Sequence, residues 1–201
     1  GPPTVTEDWP VYRYDGSRRA SSPTQLDDSL SLLWSKQIVP HRETRSNIAW
    51  TLRTGNRLTA PTIYDRSVFV ADVDSGQLHA LDVASGHPRW TFSAAGRIDS
   101  PPTLHNGLCL FGSHNGYVYC VRASDGRLAW RFRASPMDHR IVAFGNVESR
   151  WPVSGTVLVQ DDTAFVAAGR APDADGGIQV HALDLQSGNQ RWSAQLNSTE
   201  L

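Results

Sequence analysis

The chain has 201 residues, 39% hydrophobic and 19% charged, and its 19 Lys+Arg against 20 Asp+Glu leave a formal charge of −1. That composition is globular rather than disordered, and so balanced a surface gives no electrostatic case for nucleic acid or an anionic membrane. No apolar run approaches the ~20 residues of a membrane-spanning helix, while 16 Gly, 12 Pro and 7 Trp point to short strands, tight turns and large aromatic anchors.

In chain order, the opening GPPTVTEDWP is neither basic nor apolar enough for a signal peptide. With Met137 the sole methionine, the chain reads as a mature or excised piece. Residues 1–31 are expected to form an extended leader, and residues 32–201 the folded repeats. LLWSKQIV, from Leu32 to Val39, reads as the last strand of a unit whose other strands lie elsewhere, and a basic connection from Pro40 to Arg53 follows. A repeated order then begins. Residues 59–94 carry a Pro-led strand (APTIYD), an apolar strand (SVFVAD), a polar turn (VDSG), a third strand (QLHALDV) and, after a Ser-Gly turn, a fourth strand around Trp90 (PRWTF). Residues 100–134 repeat it with SPPTLHN, GLCLFGS, HNG, YVYCVRA and RLAWRF, the last around Trp130. Residues 135–153 interrupt the order. Residues 154–196 resume it with TAFVAAG, PDADGG, IQVHALDL and QRWSAQ, the last around Trp192. Trp50, Trp90 and Trp130 fall 40 residues apart, and Trp192 follows Trp130 after 62, so the last interval carries 22 extra residues.

Each unit reads as four antiparallel strands. Gly86, Gly126 and Gly188 stand where a hairpin turn wants positive φ, which only glycine adopts at no steric cost. The flanks are rich in Val, Leu, Phe and Tyr, and no apolar stripe of helical period competes. Val68 to Val70, Leu108 to Phe111 and Ala164 to Ala168 are nearly continuous apolar runs. A sheet wet on one face alternates; continuous runs mean both faces are covered, so the sheets stack on one another. Four-stranded sheets of ~40 residues stacked face to face are the blades of a β-propeller. Asp82 and Asp184 can accept turn N–H groups, and the Trp four residues after each Gly can fill the wedge between blades, its indole N–H needing one acceptor.

Cys109 and Cys120 lie on the two arms of the hairpin around HNG. They are either a disulfide or two buried thiols, and the thiols are expected, because ordinary strand pairing rarely suits disulfide geometry.

The pattern A-x-D-x-x-(S/T)-G-x-x-x-W, carried by Asp82, Gly86 and Trp90 and again by Asp184, Gly188 and Trp192, resembles the tryptophan-docking motif of the pyrroloquinoline-quinone-like (PQQ-like) repeat family. The unit with Gly126 and Trp130 departs from it: Cys120 and Arg122 replace the Ala and Asp, and Asp125 is expected to hold that turn instead. DWPVYRYDGSRR resembles the leader of secreted bacterial members, which implies an extracytoplasmic setting. The resemblance implies an all-β propeller of seven or eight blades. This chain supplies about three complete blades and part of another, so we expect an incomplete ring whose open blade edges invite self-association. It also implies either a quinone-dependent dehydrogenase, with cofactor at the propeller axis, or a non-enzymatic scaffold.

The dehydrogenase centre would need an adjacent Cys-Cys pair and a calcium cluster, and the sequence has no Cys-Cys. DADGG, Asp173 to Gly177, resembles the start of a calcium loop but lacks the downstream bidentate Glu. The seven His show no metal-ligand spacing, and no G-x-S-x-G elbow occurs. His79 and His181 hold equivalent repeat positions, which favours a structural role. No cofactor or metal is therefore expected, quinone included. The 135–153 insertion mixes charge with aromatic and apolar groups, and rigid scaffolds carry binding residues on such loops. Asp138, His139, Arg140, Glu148, Arg150 and Trp151 are the candidate binding residues, the arginines for carboxylates and Trp151 as a stacking platform; the competing reading is a loop that packs Trp151 and ion-pairs with itself. The expectation is a non-catalytic binding or scaffold module with a protein or extracellular ligand as partner. The alternatives are a fragment of a quinone-dependent dehydrogenase and a carbohydrate- or peptide-binding platform of a larger enzyme.

Overall fold

Three four-stranded antiparallel sheets make up most of the computed structural model, which describes residues 8–22, 28–38 and 57–198. The first contains β1 (Thr62–Tyr64), β2 (Ser67–Asp72), β3 (Gln77–Asp82) and β4 (Pro88–Ser93). The second contains β5 (Thr103–His105), β6 (Leu108–Gly112), β7 (Tyr117–Arg122) and β8 (Leu128–Arg133). A two-stranded hairpin follows, β9 (Arg140–Ala143) and β10 (Asn146–Ser149), and then the third sheet, β11 (Leu158–Gln160), β12 (Thr163–Ala168), β13 (Ile178–Asp184) and β14 (Gln190–Leu196). In each sheet the strands lie in chain order, and no helix occurs among the described residues. The all-β propeller blades expected from the repeat are the architecture observed. The short first strands β1, β5 and β11 are neighbours, and Thr103 Oγ1 donates to Val157 O at 2.6 Å, so the sheets fan out from their inner edges. The leader runs along those edges: Trp9 N donates to Ile63 O at 2.8 Å, and Pro10 O accepts from Leu104 N at 2.8 Å.

Alternate residues of the middle sheet serve two different cores. Cys109, Phe111, Tyr119 and Val121 pack toward the first blade, with Phe69, Leu78 and Ile98. Leu110, Val118, Cys120 and Trp130 pack toward the third, with Trp151, Ala164 and Leu183. This double burial accounts for the continuous apolar runs. It also settles the cysteines. Leu110 pairs with Cys120 and Cys109 with Val121, so the two thiols project to opposite faces of the sheet and both are free and buried. A one-residue offset reverses a side chain's face in a strand.

The blades are joined by one contact made three times. Trp34, Trp90 and Trp130 donate their indole N–H to Val83 O, Ala123 O and Leu185 O of the following blade, each at 2.9 Å. Each ring also lies on the glycine of that blade's β3–β4-type turn. A Cβ built on Gly86, Gly126 or Gly188 would fall 2.7, 2.6 or 2.5 Å from the ring of Trp34, Trp90 or Trp130, and all three glycines have φ near +70°. Asp82 Oδ1 accepts from Ala84 N and Ser85 N, Asp184 Oδ1 accepts from Ser187 N, and in the middle blade Asp125 Oδ1 accepts from Arg127 N. The indole on Gly86 is thus Trp34, within the LLWSKQIV segment read as the end of an earlier unit, although residues 32–38 form no strand; Trp50, which the 40-residue interval pointed to, lies outside the described residues. Trp192 is 47% exposed, at the open face of the third blade.

The insertion departs from the loop expected for it. Val142 pairs with Val147 and Ile141 with Glu148, and the turn places Phe144 (φ 50°) and Gly145 (φ 76°) in the left-handed region. Two consecutive positive φ values match the right-handed twist of a two-residue hairpin. Phe144 carries no turn signal, which hid the hairpin in the sequence.

Gly188→Ala should cost about 2–4 kcal/mol, combining left-handed strain with overpacking against Trp130. Gly107 has φ +77° but nothing within 4 Å of its Cβ position, so Gly107→Ala should cost only about 1–2 kcal/mol. Urea unfolding of both variants checks this, and equal losses would remove the role assigned to the ring contact.

Candidate interaction face

The insertion crosses the ends of all three sheets where the β2–β3, β6–β7 and β12–β13 turns lie. Ser149 N donates to His114 O at 2.7 Å, Val153 N to Ser113 O at 3.1 Å, and Gly169 N to Pro152 O at 3.0 Å. Beneath the hairpin is a buried network of charge. Arg97, 1% exposed at its side chain, donates Nε to Asp74 at 3.0 Å and Nη1 to Glu148 at 2.6 Å; Arg97 Nη2 also donates to Phe144 O. Glu148 Oε2 accepts from Arg170 at 2.7 Å and lies 3.0 Å from His114 Nδ1, a close approach off the hydrogen-bonding direction. His114 Nε2 is 2.8 Å from Asp99 Oδ2. Asp74 and Arg97 belong to the first blade and its exit, His114 to the second, and Arg170 to the third, so Glu148 ties the hairpin to all three.

Burial alone would lower the His114 pKa, but its contacts with Asp99 and Glu148 outweigh burial and raise it to about 9. Burial likewise pushes Asp99 and Glu148 up, and their His114 contacts, with Ser100 for Asp99 and Arg170 and Arg97 for Glu148, hold both below the usual carboxylate range. With His114 protonated, three acids (Asp74, Asp99, Glu148) meet three cations (Arg97, Arg170, His114) and the network is neutral. Neutrality is what makes the burial tolerable, since an unpaired buried charge is far more costly than a paired one.

Ser154 Oγ lies 3.3 Å from His114 Nε2, with Glu148 beyond the other ring nitrogen. This order, serine–histidine–carboxylate, superficially matches a nucleophilic triad. Nε2 already faces Asp99 at 2.8 Å, and an imidazolium has no lone pair with which to take the Ser154 proton. Gly155 N, the nearby candidate oxyanion donor, is bound to Ser100 Oγ at 2.7 Å. The sequence offered no signal for this cluster.

The six residues singled out in the insertion do not converge on one site. Asp138 and Arg140 pair at 3.2 Å, both about two-thirds exposed. Arg150 pairs with Asp175 at 2.5 Å and approaches His139 Nδ1 at 3.4 Å. Glu148 is buried in the network. Trp151 is 5% exposed, sits in the core between the second and third blades and donates its indole N–H to Asp175 O at 2.8 Å. Of the two readings of Trp151, the exposed stacking platform is therefore overturned and the packed ring is the one observed: the indole lies in the core between these blades and Asp175 O supplies its acceptor. The pairing of Asp175 with Arg150 also takes up an acid of the DADGG turn. His79 and His181 sit on β3 and β13, bonded to Thr91 Oγ1 at 3.0 Å and to Ala134 O at 2.9 Å.

Blades locked by indole–glycine contacts, with charged groups spent on joining blades, define a PQQ-like propeller module. Residues 26–201 match the family described as outer membrane protein assembly factor BamB, and the chain belongs to that family. It is 27% identical over 157 residues to the outer membrane protein assembly factor BamB of Yersinia pestis, covering 75% of this chain and 37% of that protein. It is 23% identical over 198 residues to that of Moranella endobia (strain PCIT), covering 92% and 48%. The chain thus spans about half or less of the length of these relatives. Among solved structures, a quinohemoprotein alcohol dehydrogenase from Pseudomonas putida HK5 superposes with a TM-score of 0.65 at 15% identity, covering 94% of this chain and 26% of that one. At that identity the likeness is one of fold.

The raised His114 pKa gives a signed test. Its ordinary value is 6.5 and its folded value about 9. The stability it contributes is complete below the ordinary value and is lost as pH rises through the folded one. The stability gap between wild type and His114→Gln should therefore shrink by roughly 3 kcal/mol from about pH 6 to about pH 10. Urea titrations at intervals of pH measure it; a constant gap would remove the imidazolium from the network.

Proposed function

We propose that this chain is a non-catalytic scaffold module acting in outer-membrane protein assembly on the extracytoplasmic side, holding a protein partner on the face built by the insertion. Family membership supports the setting. The observation that carries the non-catalytic reading is His114: a histidine near both a serine hydroxyl and carboxylates, it is held as an imidazolium between Asp99 and Glu148. A second support is the leader. In the dehydrogenases that the repeat resembles, quinone sits at the propeller axis, and here Trp9 and Pro10 bond along the inner edges of the first two blades. The donor set does not fit a quinone–calcium centre either. Among the described residues no three His, Cys, Asp or Glu side chains are grouped to hold a metal ion, and the two cysteines are not consecutive in the chain and project to opposite faces of one sheet. The same reading assigns the open face around Trp192, Phe165 and Val180 to a further blade with a glycine turn.

Two measurements test the proposal on the chain as it stands. Calorimetric titration with pyrroloquinoline quinone and Ca2+ should give no saturable uptake, and a fluorophosphonate probe should leave Ser154 unlabelled. Stoichiometric quinone binding, or labelling of Ser154 that is lost in His114→Gln, would overturn it. In the native host, deleting the gene should lower the level of folded outer-membrane proteins, and unchanged levels would count against the assembly role.

A further inference from the structure

A cleft of about 170 Å3 opens at the outer end of the seam between the first and second blades, where the hairpin folds back over it. Its walls include Arg131 from β8, Arg140 from β9, Tyr117 and Tyr119 from β7, Asn115 and Val147. Tyr119 pairs directly across the sheet with Arg131, and Tyr117 with Arg133, so these four side chains share the face turned toward the first blade. The Arg131 guanidinium stands over the Tyr117 ring, 5.5 Å from its centre. Neither Arg131 nor Arg133 has a carboxylate partner among the described residues. Arg140 has only Asp138, in a solvent-screened pair worth little. Glu148 also lines the cleft, but its carboxylate is 1% exposed and engaged by Arg97, Arg170 and His114, so it does not neutralise these arginines. A local excess of positive charge thus survives in a chain whose formal charge is −1.

We propose that this cleft binds a carboxylate, the acidic side chain of an extended segment of a partner protein. The reading rests on the scaffold function above and deepens it. Guanidinium groups from two different strands, β8 and β9, line the cleft, and guanidinium donors suit the two oxygens of a carboxylate. The Tyr119 oxygen already accepts from Asn115 Nδ2 at 2.7 Å, which leaves the phenol hydrogen as a third donor. Size decides the source. Small-molecule sites occupy about 300–1,000 Å3, so a space of about 170 Å3 suits a side chain and is short of a cofactor. The surroundings favour a peptide. Val142 and Val147, 77% and 60% exposed, form a cross-strand pair beside Arg140, and apolar residues flanking the acid would cover them.

The test uses 15N-labelled chain and three soluble probes: the blocked pentapeptide Ac-Ser-Val-Glu-Val-Ser-amide, its Gln counterpart, and the Gln counterpart with a free C-terminal carboxylate. The Glu peptide should shift the amide resonances of Ala95, Asn115, Val147 and Ser149. The Gln peptide should bind at least about tenfold more weakly, as expected when a charged hydrogen-bonding partner is lost. Arg131→Gln and Arg140→Gln, both at exposed positions, should each weaken the Glu peptide about tenfold, with amide spectra otherwise unchanged. Arg127→Gln, at the β7–β8 turn, should leave binding as it was. Equal binding of the Glu and Gln peptides, indifference to both arginine variants, or no shifts at millimolar peptide would overturn the cleft. Preference for the free C-terminus over the Glu side chain would overturn the assigned source. Shifts confined to another surface would overturn the cleft but leave the scaffold reading standing, which the quinone, probe-labelling and gene-deletion tests above address separately.

Discussion

One contact holds this molecule in its shape: an indole laid flat on a glycine of the next blade, its N–H closed onto a carbonyl one residue past that turn's acidic position or the equivalent. It occurs three times with the same 2.9 Å bond. Two requirements meet at each glycine. The turn needs a left-handed residue, and the ring needs the space a Cβ would fill. Either demand alone tolerates some other residue; together they leave glycine. The carbonyls at Val83, Ala123 and Leu185 would be unsatisfied acceptors if the indoles left, so packing and hydrogen bonding reinforce each other rather than compete. The same geometry explains why the middle sheet is apolar on both faces: each of its faces is pressed against a neighbour by one such lock.

The second device is electrostatic and belongs to this chain's insertion rather than to its repeat. Glu148 reaches an arginine of the first blade's exit, a histidine of the second blade and an arginine of the third. Buried ion pairs contribute little net stability, because desolvation offsets most of the attraction. What they impose is geometry: any relative movement of blade ends separates a buried charge from its partner. We read the network as fixing the hairpin in one position above the blade seam, so that the side chains on its outer surface are presented rigidly. The cost is chemical. A histidine committed to two carboxylates has no free lone pair, and the serine beside it stays an ordinary alcohol.

This division of labour explains how one repeat serves both quinone enzymes and assembly factors. The indole–glycine lattice specifies a fan of sheets and says nothing about the axis or the rim. Here the inner edges of two blades are taken by backbone from Trp9 and Pro10, and the rim carries the arginines and exposed valines. Function in such a frame is decided by connections, not by blades.

Much of the fold was legible in the residues, because its signals are local. Turn glycines, Asp-x-x-Ser-Gly runs and doubly apolar strands all report on their immediate neighbours, and β2, β6 and β12 fall on the runs that announced them. The hairpin of the insertion was not, since Phe144 occupies a left-handed position without any turn residue's signature. Nor was the partner of each indole. LLWSKQIV already marked Trp34 as the end of a unit while the 40-residue interval pointed to Trp50, and only contact with Gly86 identifies the ring. The faces of Cys109 and Cys120 depended on a one-residue register that both readings of the hairpin allowed. Trp151 allowed two readings, a stacking platform and a ring packed on the propeller, and its burial between two blades is the second.

By itself, then, the sequence determined the blades, their order and the turns that close them, since those follow from periodicities of two and of about forty residues that the chain carries within itself. Tertiary structure alone decided the site. Arg97 and Glu148 stand 51 residues apart in the chain and 2.6 Å apart in space, and no periodicity links them. The carboxylates of Asp99 and Glu148, brought to the ring by the fold, then set the charge on His114 against the effect of burial, and with it the ring's inability to act as a base toward Ser154.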